Sequence, residues 1–276
     1  MKYFRLFIIV LSVVLCGSCK KNRFQIAKSQ INQSIQIERF DKDIMSIDTT
    51  KLEAETARLQ EKYGKFFTLY TQEVIGIGTP DSTDFYRLLK GFVTDSMACE
   101  IHKESLSYFS DISDIESDLS TAFSYLNHYF PAIKIPKVLM HISGFNQNIV
   151  VTEDYLSLSI DYYLGADYIP YQYIAYDYQR YNMRREKIAS DYILGFLMSE
   201  FAMQKHSDRL LDNILDKGKI LYLQSIIMPK QKEDVLFGFT PQKMEWCKNN
   251  EKQMWTYILE NKQLFTNDML TVAKYL

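Results

Sequence analysis

The chain has 276 residues, 47% hydrophobic and 24% charged, so it is long and apolar enough to bury a substantial core. Its formal net charge is −2, with no basic tail or block, which leaves nucleic-acid binding without an electrostatic footprint. With 10 glycines, 6 prolines, no repeat and no low-complexity linker, loops should be short.

Lys2 and Arg5 open the chain, and Leu6 to Leu15 is apolar except for Ser12. A spanning helix needs ~20 apolar residues, so this run describes a secretory signal, with Gly17 and Ser18 as the small residues at its end. Gly-Ser-Cys resembles the bacterial lipobox, which makes residues 1–18 a signal peptide and Cys19 the lipidated N-terminus. Cys16 departs from that pattern, standing where Leu is usual. A plain secretory signal and an uncleaved anchor are the alternatives. Acyl chains on Cys19, at ~0.8 kcal/mol per buried methylene, tie the mature protein to a membrane. The Lys-Lys-Asn-Arg that follows has no acidic cluster, which favours a cell-envelope position facing the periplasm. Residues 19–36 are polar and read as a lipidated tether, with one globular domain over 37–276.

Residues 48–75 read as helix, with Asp48 or Thr49 to cap it and Leu52, Leu59 and Tyr63 starting an apolar face. GIGTPDSTD, 76–84, is a turn; it lacks the lysine and preceding strand of a phosphate-binding loop. One or two helices follow over 81–108. In 113–130, Ser113 and Glu116 have the spacing of a capping box, and Ile115, Leu119, Ala122, Phe123, Leu126 and Phe130 share a face. KVLMHISG (137–144), QNIVV (147–151) and YLSLSI (155–160) then read as short strands in hairpins. Helices resume over 185–205 and 208–227, and Thr240-Pro241 caps another through Lys248, with a further one through Asn261. The sum is α+β, mostly helical with a small sheet.

Cys99 and Cys247 survive processing, either as a disulfide or as two free thiols. His102, His128, His141 and His206 form no HExxH pair, and no metal or cofactor is expected. No catalytic residue is legible, since there is no nucleophile elbow and no Cys-x-x-Cys after processing. The densest feature is DYYLGADYIPYQYIAYDYQRYNM, 161–183, with Tyr162, Tyr163, Tyr168, Tyr171, Tyr173, Tyr176, Tyr178 and Tyr181. Tyrosine is a rigid apolar ring with a polar tip, suited to gripping a protein or a glycan. The same run also fits a long connection packed on the core by its rings.

IERFDKDI (37–44), SIDYYLGADY (159–168), LLDNILDKGKILYLQSIIMP (210–229) and GFTPQKMEWCKNNEKQMWTYILENKQLFTND (238–268) resemble the gliding-motility lipoprotein family GldB of Bacteroidota. The resemblance runs from about residue 37 to the end, and it implies that relatives continue past Leu276 by a further helix. That family in turn looks distantly similar to zinc peptidases of zincin-type fold. It then implies a degenerate metal site, with Ser190, Asp191 and Leu194 where HExxH would lie and Lys217 where a Glu ligand would lie. Serine, leucine and lysine cannot rebuild a His-His-Glu site. The expectation is a non-catalytic envelope scaffold with protein partners. A zinc peptidase with an unrecognised site and a glycan- or peptidoglycan-binding module are the alternatives.

Overall fold

The computed structural model describes residues 23–201 and 208–275. The expected signal peptide, the expected lipidation site Cys19, and His206 lie outside the described residues.

The chain enters along a helix rather than hanging free. Ile26 and Ile37 are buried in the core, and the N–H groups of Gln33, Ile35 and Ile37 donate to Ser124 Oγ, Ser120 Oγ and Glu116 Oε1 at 3.0, 2.9 and 2.9 Å. Two residues of extended chain rise ~6.6 Å and four residues of helix ~6.0 Å, so alternate N–H groups meet side chains one turn apart. The stretch expected as a tether is thus a docked strap from Phe24 onward. Its many polar side chains hid this, because the helix supplies the hydrogen-bonding groups.

After the strap come β1 (Glu38–Arg39), α1 (Phe40–Met45), α2 (Leu52–Tyr63), α3 (Lys65–Leu69) and a π-turn (Tyr70–Val74). The helix expected over 48–75 breaks at Gly64, whose φ of 54° and ψ of −127° are not helical. Asp48 does not cap it either; its carboxylate accepts from the Thr50 N–H at 2.9 Å in the turn before Leu52. Next are α4 (Phe85–Thr94) and α5 (Ser96–Tyr108), separated by Asp95, whose carboxylate caps the Ala98 N–H at 2.8 Å. Then α6 (Ser113–Tyr129) buries the stripe Ile115, Leu119, Ala122, Phe123 and Leu126. Its capping box does not form. Asp111 accepts from the Ser113 N–H, and Glu116 is turned to the strap.

The sheet adds β2 (Lys137–His141), β3 (Ile149–Val151) and β4 (Tyr155–Ser159), in the order β1-β2-β4-β3. Only β3 and β4 form the expected hairpin; β2 pairs parallel to β4, Lys137 opposite Tyr155, and β1 pairs parallel to β2. The remaining helices are α7 (Asp177–Arg180), α8 (Ile188–Glu200), α9 (Leu210–Ile227), α10 (Glu233–Phe237), α11 (Pro241–Glu260) and α12 (Met269–Val272). Thr240 caps α11 as expected, accepting from the Lys243 N–H at 3.2 Å, but a single helix spans what was read as two.

Both faces of the sheet are buried. Val138, Met140, Leu156 and Leu158 point into a core shared with α6, α8 and α9. Leu139 and Val150 point into a second core with Phe40, Leu59, Phe66, Tyr70 and Phe85. The alternation in YLSLS therefore does not mark a solvent face: Ser157 and Ser159 are as buried as Leu156 and Leu158. Arg39 fastens β1 to this core: its guanidinium grips the fully buried Asp41 at 2.9 and 2.7 Å and donates to the Phe109 carbonyl. Cys99 and Cys247 are both free thiols.

Candidate functional site

The tyrosine segment leaves the sheet at Ser159 and is pinned at once by Asp161. This buried carboxylate accepts from the N–H groups of Ser143 and Phe145 at 3.2 and 2.9 Å and from the Ser159 hydroxyl. Burial pushes its pKa up, opposed by those hydrogen bonds. The Asp161 carbonyl accepts from the Tyr171 hydroxyl at 2.6 Å, and that hydroxyl accepts from the Leu164 N–H at 2.8 Å. An irregular stretch is therefore held by side chains where no ladder exists.

The eight tyrosines divide by role. Tyr163 and Tyr171 are buried anchors, so these two do not belong to a contact surface. Tyr162, Tyr168 and Tyr181 are half-buried, with hydroxyls donating to the Phe145 carbonyl, Glu104 and Asp234. Tyr173, Tyr176 and Tyr178 are 85%, 72% and 66% exposed. The rings of Tyr176 and Tyr178 stack 5.9 Å apart at 7°, and Ile169 and Ile174 are exposed beside them in sequence.

Two hollows of about 650 and 340 Å³ adjoin this segment and share Gln179 and Asn182. The larger has Tyr178, Tyr181 and Phe239 in its walls, with Lys243 Nζ 4.9 Å over the Phe239 ring. The smaller has Phe145, Tyr162 and Asp191. Three buried polar atoms in these walls have no hydrogen-bond partner among the described residues: Asn148 Oδ1, Arg180 Nε and Asn182 Oδ1. Asn182 Nδ2 donates to the Gly238 carbonyl at 2.9 Å. Gly238 is required there, with φ at 71° and room for a Cβ only 2.9 Å from that amide nitrogen.

The residues of the supposed former metal site do not gather as a set. Ser190 Oγ accepts from Gln224 Nε2 at 2.9 Å and from Lys187 Nζ at 3.4 Å. Asp191 pairs with Lys187 at 3.0 Å and accepts from the Tyr163 hydroxyl at 2.8 Å. Leu194 packs against the core. The α9 residue that meets Ser190 is Gln224, seven positions or ~10 Å along the axis from Lys217. An ammonium beside Ser190 and an apolar Leu194 do not fit a zinc ion. Among the described residues no group of three or more His, Cys, Asp or Glu side chains is placed to hold a metal. His141 is buried, its Nδ1 2.7 Å from Ser157 Oγ, and burial pushes its pKa down to about 4.

Sequence reasoning missed Asp161, Asn148 and Asn182. Only Asp161 left a signal, because an acid continuing the buried run LSLSI must be hydrogen-bonded.

Fold and site together define an α+β domain whose tyrosine-rich segment stands on a two-faced core. The model of the family described as gliding motility protein GldB matches residues 21–276, and the chain belongs to that family. It is thus a gliding-motility-associated lipoprotein of the cell envelope. No curated protein and no solved structure matches the chain. No helix among the described residues is long and apolar enough to cross a membrane.

Proposed function

We propose that this protein is a non-catalytic scaffold or binding partner in the cell envelope, anchored by lipid on Cys19 at the periplasmic face, on a zincin-like architecture without its metal ligands. The observation that carries this reading is the exposed row Ile169, Tyr173, Ile174, Tyr176 and Tyr178 on a segment whose buried tyrosines hold it to the core. So many large apolar side chains within ten residues of surface mark a contact site, and tyrosine is enriched at such sites. The test compares cross-linked species in the native envelope for wild type and for Tyr173→Ser/Tyr176→Ser/Tyr178→Ser. Loss of a discrete species with an unchanged unfolding midpoint supports the reading; the same species from the folded triple variant counts against it. Purified without chelator, the chain should hold no stoichiometric zinc; one tightly bound zinc would overturn the non-catalytic reading.

A second reading is a glycan site, favoured by the unpartnered Asn148 Oδ1, Arg180 Nε and Asn182 Oδ1 beside aromatic walls. Two acceptors and one donor suit hydroxyls, which both give and take hydrogen bonds. Calorimetric titration with soluble peptidoglycan fragments tests it. Heat that vanishes in Asn182→Ala supports it, and no heat with wild type removes it.

A further inference from the structure

We propose that the protein rests on the membrane by one particular face, formed where Phe24 meets the end of α6 and the exposed side of α9. The proposal depends on acylation of Cys19.

The argument begins with reach. A free tether over residues 19–36 would let the domain wander ~60 Å from its lipid. The strap removes most of that length, because the chain is held from Phe24 onward. The Phe24 carbonyl accepts from the Tyr129 hydroxyl at 2.9 Å, and its ring meets those of Tyr129 and Tyr222 edge-on at 6.3 and 6.4 Å. Four peptide steps separate Cys19 from Arg23, a span of ~14 Å at most. Even two packed helices make a body ~20 Å thick, more than this span, so no folded domain fits between this face and the bilayer. The occupant is therefore the lipid surface.

The chemistry of the face agrees. Tyr222 is 61% exposed and Leu215 50%, and the two lie seven residues apart, on one side of α9. Tyr129 is partly exposed beside Phe24. Tyrosine rings favour the headgroup level, with the apolar body inward and the hydroxyl in water. Lys20, Lys21, Arg23 and Lys28 are basic, and no acidic residue precedes Glu38 after Cys19. Such a run is drawn to anionic headgroups.

The test uses the full mature lipoprotein in vesicles of phosphatidylethanolamine and phosphatidylglycerol, with and without nitroxide-labelled lipid. Cys99 and Cys247 are replaced by serine, and a fluorophore is placed at Tyr222→Cys or, separately, at Leu215→Cys. Mass spectrometry of the N-terminal peptide reports acylation of Cys19. Several-fold quenching of both labels by the nitroxide lipid is the expected result. An unacylated Cys19 overturns the anchoring reading and this one together. An acylated, vesicle-bound protein with both labels unquenched overturns this one alone and leaves the face to a protein occupant or to water.

Discussion

The Tyr163 hydroxyl donates to Asp191 Oδ2 at 2.8 Å while accepting from Asn148 Nδ2 at 3.0 Å. One phenol thus joins the tyrosine segment, the loop before β3 and α8. Lys187 completes the chain from the other side of Asp191.

Tyr163→Phe keeps the buried ring and removes only this junction. Hydrogen bonds to charged groups are worth about 1.5–3 kcal/mol, so unfolding in urea should show a loss of about 2 kcal/mol. An unchanged midpoint would mean that the bond adds nothing over water.

His141 makes stability depend on pH. Its pKa is about 4 when folded, against 6.5 for the unperturbed side chain. Between those values the unfolded chain binds a proton that the native chain does not, so stability is full above pH 6.5 and falls as pH drops towards 4. The span corresponds to a loss of order 3 kcal/mol. In His141→Asn the slope of stability against pH in this window should flatten by about one proton. Asp161 acts in the opposite sense. Its raised pKa means that stability is lost as pH rises through the folded value, so the difference between wild type and variant isolates His141.

Arg39→Ala strands Asp41, which is fully buried, without its partner. Breaking a buried pair from one side costs about 3–5 kcal/mol, enough to threaten folding. Arg39→Lys keeps the charge but loses the forked grip, and its thermal midpoint should fall between the two.

Ser120→Ala and Ser124→Ala test the strap. Each removes the acceptor of one strap N–H, worth about 1 kcal/mol, while alanine improves the helix by a few tenths. The expected signature is local: amide exchange at Ile35 and Gln33 speeds up about fivefold, with little change in the global midpoint. Equal acceleration across the whole core would contradict a separable strap.

The stripe of α6 was legible because five buried apolar residues recur with helical spacing, and the cap of α11 because Thr240-Pro241 states its own geometry. Strand positions were legible from their alternation and β-rich composition, but not their partners: nothing local in KVLMH tells a parallel neighbour from a hairpin. The break at Gly64 was hidden because one glycine inside an apolar helical pattern is compatible with continuation. Ser113 and Glu116 matched a local motif, but the Ser113 N–H turns to Asp111 and Glu116 is taken by the strap. The tyrosine segment stood out by composition alone. Sorting Tyr163 and Tyr171 from Tyr173, Tyr176 and Tyr178 needed the positions of Asp161 and Asp191, which are set by the whole fold.

The strap also imposes an order in time. Its hydrogen-bonding partners lie 79 to 91 residues downstream, on α6. A chain that emerges N-terminus first cannot seat residues 33–37 until α6 has followed it out and folded. Until α6 forms, the core sites that take Ile26 and Ile37 are incomplete, so the rate at which α6 forms sets how soon the N-terminal end of the domain docks.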